Sequence, residues 1–143
     1  MNYAPPKICL AMITWCYYSP VGFLKKFFGK NEPVAKAEGG EQLARLHIPL
    51  SDGQLGTKAE RDRCFDLEEK IAEAVSLAGV GEHDGNEVGG GEFTIWCYGM
   101  DAKAIVPILR DHVLAANLHH GAWIHLRLGD VEDEDAPEER IDL

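Results

Sequence analysis

The sequence lacks the short motifs that mark several common classes of enzyme. It contains no Gly-x-Ser-x-Gly nucleophile elbow and no His-Glu-x-x-His metalloprotease motif. Three consecutive glycines at 89–91 lack the Gly-Lys-Ser/Thr ending of a phosphate-binding loop. They also precede a predicted strand, whereas a phosphate-binding loop precedes a helix. The hydrolytic and nucleotide-binding mechanisms that depend on these motifs are therefore not indicated.

Cysteine is scarce and is not arranged for metal binding. Cys9, Cys16, Cys64 and Cys97 form no Cys-x-x-Cys pair, and no Cys–His spacing resembles a zinc site. Cys64 and Cys97 fall on the apolar faces of a predicted helix and strand, which predicts buried free thiols. Free thiols suit a reducing compartment, so we expect a cytoplasmic protein. We also expect no cofactor.

Basic residues are outnumbered by acidic ones. The 143 residues include 14 Lys and Arg against 24 Asp and Glu, which gives a formal net charge of −10. Nucleic-acid binding needs clustered Lys and Arg, so we expect no nucleic-acid partner. Much of the acidic charge lies in residues 130–139, which we interpret as a solvated loop.

Charged residues are absent from Ile8–Leu24, although lysines follow this segment. A membrane-spanning helix needs about 20 apolar residues, and Pro20 interrupts this shorter run. Three interpretations stay open: an aromatic anchor at the membrane surface, a membrane span or signal segment, and an extension that precedes an alternative start at Val21. The sequence thus predicts an N-terminal extension and linker over residues 1–42, with membrane-surface association through residues 8–30 as one alternative.

Two patterns of apolar residues predict the elements of a domain over residues 43–143. Alternation predicts strands, and spacing of three to four residues predicts helices. The predicted strands cover 43–50, 80–88, 92–98, 122–128 and 139–143, and the predicted helices cover 57–78 and 102–116.

Local signals set the ends of both predicted helices. Thr57 and Glu60 form the sequence pattern of a capping box, and Gly79 is placed to end the first helix. Asp101 is the expected N-cap of the second helix. Pro107 lies beyond the first turn and lacks an N–H, so we expect a kink or a late start there.

The order of these elements predicts the fold class. It is strand, helix, strand, strand, helix, strand, with one extra strand at the end. This order is typical of an α+β, ferredoxin-like split βαββαβ sandwich, with two helices on one face of an antiparallel sheet. Right-handed crossovers would place the first and third strands in the centre, and the extra strand would pair at an edge.

The stretch Gly81–Ala102 carries a resemblance to a known family. It reads GEHDGNEVGGGEFTIWCYGMDA and is followed by GAWIHLRLGD and a closing ERIDL. This pattern, roughly G-E-x-D-G-x-E, then Y-G-x-D-A, then L-R-x-G, resembles a family of small uncharacterised bacterial proteins. The resemblance covers about 21–143 and implies the ferredoxin-like fold. Met100 departs from it, because a proline often follows the Tyr-Gly pair in the family. No established activity is implied.

A ferredoxin-like fold leaves one face of its sheet uncovered by helices. Strand alternation predicts which side chains lie there, and they combine aromatic, basic and imidazole groups. They are Arg45, His47, Thr94, Trp96, Tyr98, Trp123, His125 and Arg127. An exposed aromatic patch of this kind indicates an interface, so we expect a protein partner or a homodimer. Cover by another segment of the chain, a small anionic ligand and RNA are the other interpretations, and the acidic charge disfavours RNA.

An acidic cluster surrounds the second predicted strand. Glu82, Asp84 and Asn86 are only weak candidates for a metal site, since alternation would direct them to one face and would direct His83 and Glu87 to the other, which divides the cluster. The spacing fails the EF-hand pattern, because Glu87 stands where the invariant glycine is needed. We therefore expect no metal here, and interpret the segment as an edge strand guarded by charge with a bulge or turn near Gly85.

Two functional hypotheses follow from the sequence. The first is a non-catalytic binding or regulatory module that uses the uncovered sheet face. The second is a small enzyme or anionic-ligand binder centred on His47, His125 and Arg127, which could provide acid–base groups and a cation. No nucleophile is evident beside these three residues, so we assign no catalytic residue.

Overall fold

The computed structural model describes residues 40–143 of the chain. The predictions for Cys9 and Cys16, for an alternative start at Val21 and for membrane-surface association through residues 8–30 lie outside the described residues. Within residues 40–143, no helix is both long enough and apolar enough to cross a membrane. The first strand begins at Gln42, and the placement of the domain boundary at residue 43 stays a prediction.

Five strands and two helices make up the described residues. In chain order they are β1 (Gln42–Pro49), α1 (Lys58–Ala78), β2 (Glu82–Gly89), β3 (Glu92–Gly99), α2 (Ala102–Ala115), β4 (Trp123–Arg127) and β5 (Glu138–Asp142). Every element that the apolar patterns predict in this part of the chain is present. The predicted acidic loop is shorter than expected, because Glu138 and Glu139 belong to β5.

The strands form one antiparallel sheet in the order β2-β3-β1-β4-β5. β1, β3 and β4 lie in the interior, and β2 and β5 are the two edges. The protein is therefore an α+β protein with an open five-stranded antiparallel sheet and two helices. Since β5 pairs with β4, the sheet extends beyond the four strands of a simple split βαββαβ unit.

The hydrophobic core lies between the two helices and one face of the sheet. Inward-facing residues of the strands, such as Ile48, Phe93 and Ile124, pack there with Ile71 of α1 and Leu109 of α2. Burying such a side chain contributes about 1.5–3 kcal/mol relative to leaving it exposed. Cys64 and Cys97 also lie in this core as buried free thiols, which confirms their prediction.

The ends of α1 follow the predicted signals. The Thr57 hydroxyl accepts a hydrogen bond from the Glu60 N–H at 3.2 Å, and the Glu60 carboxylate accepts one from the Thr57 N–H at 2.7 Å. These reciprocal bonds satisfy two N–H groups that the helix cannot satisfy itself. Gly79 ends the helix in the left-handed conformation, with φ of 66°.

The second helix begins where its cap predicts. The Asp101 carboxylate accepts a hydrogen bond from the Lys103 N–H at 3.0 Å, and α2 runs continuously from Ala102. Of the kink or late start expected at Pro107, the late start is therefore wrong, and the kink stays a prediction. The proline ring is exposed, while Ile105 and Leu109 of the same helix are buried in the core.

Candidate functional site

The strand register places the eight predicted site residues on one face of the sheet, opposite the helices. Trp96 on β3 lies opposite Arg45 on β1, which lies opposite His125 on β4. The next two rows are Thr94–His47–Trp123 and Tyr98–Leu43–Arg127. We call this surface the open face. The placement that alternation predicts is confirmed, and the use of these residues in binding stays a prediction.

His47 lies at the centre of the open face and is only 7% exposed. Its ring stacks on Trp123 with centroids 3.8 Å apart and planes 5° from parallel. Its Nδ1 lies 2.9 Å from Oε2 of Glu92. Burial lowers the pKa of His47 below its usual value, although the hydrogen bond to Glu92 opposes this, and the Arg45 charge lowers the pKa further. The neutral ring therefore donates from Nδ1, and its buried Nε2 has no partner among residues 40–143.

Arg45 lies between Trp96 and His125 on the open face and contacts both. Its guanidinium carbon lies 4.6 Å from the centroid of the Trp96 ring, a cation–π contact. Its Nη2 donates to Nδ1 of His125 at 3.1 Å. Because a guanidinium has no acceptor, Nδ1 of His125 must carry the lone pair. The other ring nitrogen, Nε2, lies 3.2 Å from the carboxylate of Glu138.

The strand β5 supplies further charged groups to the open face. Arg140 lies over Trp123, with its guanidinium carbon 4.1 Å from the ring centroid, and its Nε donates to Asp142 at 2.8 Å. Arg127 lies 3.7 Å from Glu138 and donates to the carbonyl of Asp133. These contacts hold Trp123 between His47 and Arg140.

Sequence reasoning missed several members of this layer. Glu92 shares the parity of Thr94, Trp96 and Tyr98, so alternation alone would have placed it on the open face. Glu138 and Arg140 could not be assigned in the same way. Their positions depend on the register of β5 against β4, which no local pattern fixes.

The structure brings together only two of the residues His47, His125 and Arg127: His125 and Arg127 share Glu138, whereas His47 contacts Glu92. His47 lies opposite Trp123, whereas His125 lies opposite Arg45 in the neighbouring row. Each of the three side chains contacts a carboxylate: Glu92 for His47, and Glu138 for the other two. An anion at this place would compete with these built-in carboxylates.

The acidic strand β2 is interrupted by a β-bulge between His83 and Gly85. The bulge confirms the irregularity predicted near Gly85, and it reverses the alternation after it. Glu82 lies opposite Tyr98 on the open face, whereas Asn86 lies opposite Ile95 on the helix face. The predicted common face for Glu82, Asp84 and Asn86 is therefore wrong.

Beneath β2, the buried Glu68 of α1 connects the helix to the edge strand. Its two carboxylate oxygens accept hydrogen bonds from the Asn86 amide at 2.9 and 2.8 Å. Its Oε1 also lies 2.7 Å from Nε2 of His83, without the alignment of a hydrogen bond. Within residues 40–143, no group of three or more His, Cys, Asp or Glu side chains is arranged to hold a metal ion.

Comparison of the chain with protein-family models, with curated proteins and with solved structures finds no match. The fold and the site therefore define the protein's class by themselves. It is an α+β protein with an open antiparallel sheet, and the face away from its helices carries a connected layer of aromatic and charged side chains.

Proposed function

We propose that this protein is a non-catalytic binding or regulatory module that holds a protein partner on its open face, with a second copy of the chain as the alternative occupant. The observation that carries the proposal is the position of Trp96 and Trp123. Both are half-buried on a sheet face that no helix or strand of residues 40–143 covers. Tryptophan, tyrosine and arginine supply much of the binding energy at protein interfaces, and all three occur here.

The open face is also ordered before any partner arrives. Trp123 is held between His47 and Arg140, and Trp96 is held by Arg45. Side chains that are already fixed lose little conformational entropy on binding. The layer thus supports recognition by a rigid aromatic surface.

The same proposal includes a finer fold and family assignment. We assign β1 to β4 and the two helices to a ferredoxin-like unit, to which β5 is added. The interior positions of β1 and β3 support this assignment. The motifs of Gly81–Ala102 support membership in the family of small bacterial proteins, and the buried thiols of Cys64 and Cys97 support a cytoplasmic location.

The alternative of a small enzyme or anionic-ligand binder has less support. The best acid–base candidate is His47, whose Nδ1 is oriented by Glu92 as a general base would require. Its Nε2 is buried, however, and it stacks against Trp123. Arg127, the predicted anion-binding cation, is paired with Glu138.

The proposal is tested by affinity capture of partners from the native cell, using the full chain and its Trp96→Ala and Trp123→Ala variants. We expect each tryptophan variant to retain about one-thirtieth or less of the captured partner, because such hot spots contribute about 2 kcal/mol or more. Sedimentation of the purified chain checks whether the occupant is a second copy.

The control variant is Leu77→Ala, which removes an apolar side chain that is 81% exposed on α1. It should capture as much partner as the natural chain. Circular dichroism must show that all variants are folded. Equal capture and equal sedimentation by the natural chain and both tryptophan variants would contradict the proposal.

A further inference from the structure

The five basic side chains of the open face differ in whether they contact a carboxylate. Four of them contact a carboxylate: His47 at 2.9 Å, His125 at 3.2 Å, Arg127 at 3.7 Å and Arg140 at 2.8 Å. The fifth, Arg45, lies between Trp96 and His125 in the central row and contacts no carboxylate within residues 40–143.

Arg45 is therefore a charged group with unused hydrogen-bonding capacity. A guanidinium stays protonated and has five N–H donors in a planar fork. One donor of Arg45 is used by His125, and its Nε is buried without an acceptor among residues 40–143. His125 orients the guanidinium without neutralising it, because the lone pair of Nδ1 that accepts the bond carries no negative charge. A half-buried charge of this kind is stabilised by an opposite charge.

The Arg45 site is open toward the β2 edge. The neighbour of Trp96 in the same row is Gly85, which has no side chain. A Cβ placed on Gly85 would meet no atom of residues 40–143 within 4 Å, so no side chain of β2 covers Trp96 in this row. A group that approaches over β2 therefore has room to reach the Trp96–Arg45 stack.

We propose that Arg45 is the carboxylate-binding centre of the open face, and that the partner is a protein that places an Asp or Glu side chain on this guanidinium. The inference rests on the proposed function and names the chemistry of its partner. A carboxylate matches the planar fork of arginine and can accept two parallel hydrogen bonds.

The charge of the domain favours a protein as the source of this carboxylate. Residues 40–143 hold 22 acidic and 9 basic residues, a formal net charge of −13, which weakens the binding of small free anions so that they occupy Arg45 only at high concentration. Glu82 and Glu87 flank the same face on β2 and are exposed. A protein surface can present a carboxylate to Arg45 together with basic groups for these two glutamates, whereas a small carboxylate cannot.

The first test uses the natural chain and sodium acetate as the probe. The Nε–H resonances of Arg45, Arg127 and Arg140 are followed by NMR at constant ionic strength, with sodium chloride as the matched salt. We expect acetate to shift the Arg45 signal in a saturable manner and to leave Arg127 and Arg140 unchanged, since both already contact carboxylates. Equal shifts of all three signals, or no shift of Arg45, would overturn the proposal.

The second test repeats the capture experiment with Arg45→Gln and Arg45→Lys. We expect Arg45→Gln to lose about tenfold or more of the captured partner, since it removes a charge-assisted hydrogen-bonded pair. Arg45→Lys should lose less of the captured partner, because lysine keeps the positive charge but lacks the planar fork of N–H donors. The control Arg110→Gln makes the same charge change on the exposed surface of α2 and should capture normally.

The outcomes separate this inference from the proposed function. If the tryptophan variants lose the partner and Arg45→Gln keeps it, the open face is an interface, and the Arg45 proposal is overturned. If none of the open-face variants changes capture or sedimentation, the proposed function fails. A dimer that dissociates in the tryptophan variants and persists in Arg45→Gln identifies a second copy as the occupant and overturns the inference.

Discussion

At the scale of single residues, His47 shows how an uncovered sheet face can still bury a polar side chain. Trp123 covers one side of its ring, and Glu92 fixes its Nδ1. Burial lowers the pKa of His47 because the charged imidazolium loses solvation. The unfolded chain does not impose this cost, so protonation of His47 favours unfolding.

This difference predicts a stability that rises with pH. The pKa of His47 is below 6.5 in the folded state and near 6.5 in the unfolded state. Below pH 6.5 the unfolded state therefore binds more protons. We expect the free energy of unfolding in urea to be lower at about pH 5 than at about pH 7.5, and this difference to shrink in His47→Gln.

The exposed His120 provides the control for this measurement. His120→Gln should keep the pH dependence of the natural chain. If the pH dependence of His47→Gln matched that of the natural chain, the lowered pKa of His47 would not contribute to stability.

At the scale of elements, the β2–β3 hairpin depends on glycines for two different reasons. Gly90 and Gly91 form its turn with φ of 61° and 87°, a conformation that other residues rarely adopt. Gly81, just before β2, is needed for a close approach instead. A Cβ at this position would collide with the backbone carbonyl oxygen of Tyr98.

Gly81→Ala should therefore weaken the contact between the start of β2 and the end of β3. We expect it to lower the free energy of unfolding by about 1–3 kcal/mol, the usual cost of overpacking. The matched control is Gly89→Ala at the other end of β2, because a Cβ there meets no atom of residues 40–143 within 4 Å. Urea unfolding of both variants measures the difference in the free energy of unfolding. Similar values would show that the backbones at Gly81 and Tyr98 can move apart without loss of stability.

The sequence predicts the helices and strands well. It predicts an irregularity near Gly85 but not the change of facing that the bulge causes. Alternation places β1, β3 and β4 correctly, since each has one apolar face. The extra residue between His83 and Gly85 changes which side chains of β2 face α1. The sequence does not reveal this change, because β2 has little apolar alternation. The contact of Glu68 with Asn86 follows from that shift, which a regular alternation cannot show.

At the scale of the whole molecule, α1 and β3 share one hydrophobic core. Cys64 of α1 and Cys97 of β3 both belong to it. Burial raises the pKa of Cys64 to about 11 and that of Cys97 to about 12, so few thiolates exist near neutral pH. Both thiols can therefore report on the opening of this core.

We expect the described domain to unfold as one cooperative unit, as small single domains usually do. Iodoacetamide should leave Cys64 and Cys97 unmodified in the native protein and should modify both at the same urea midpoint. Mass spectrometry of the two peptides measures each site separately. Labelling of Cys64 at a lower urea concentration than Cys97 would show that α1 separates from the sheet first.

By itself, the sequence determines the order of the elements, the caps of both helices, the buried thiols and the face on which each side chain of β1, β3 and β4 lies. These properties follow from local periodicity and from residues that are close in sequence. Only the tertiary structure decides which side chains meet. Arg45 and His125 are 80 positions apart, and their hydrogen bond depends on the register of β1 against β4. The pairing of β5 with β4, which brings Glu138 to Arg127, is decided in the same way, because register is set by long-range pairing.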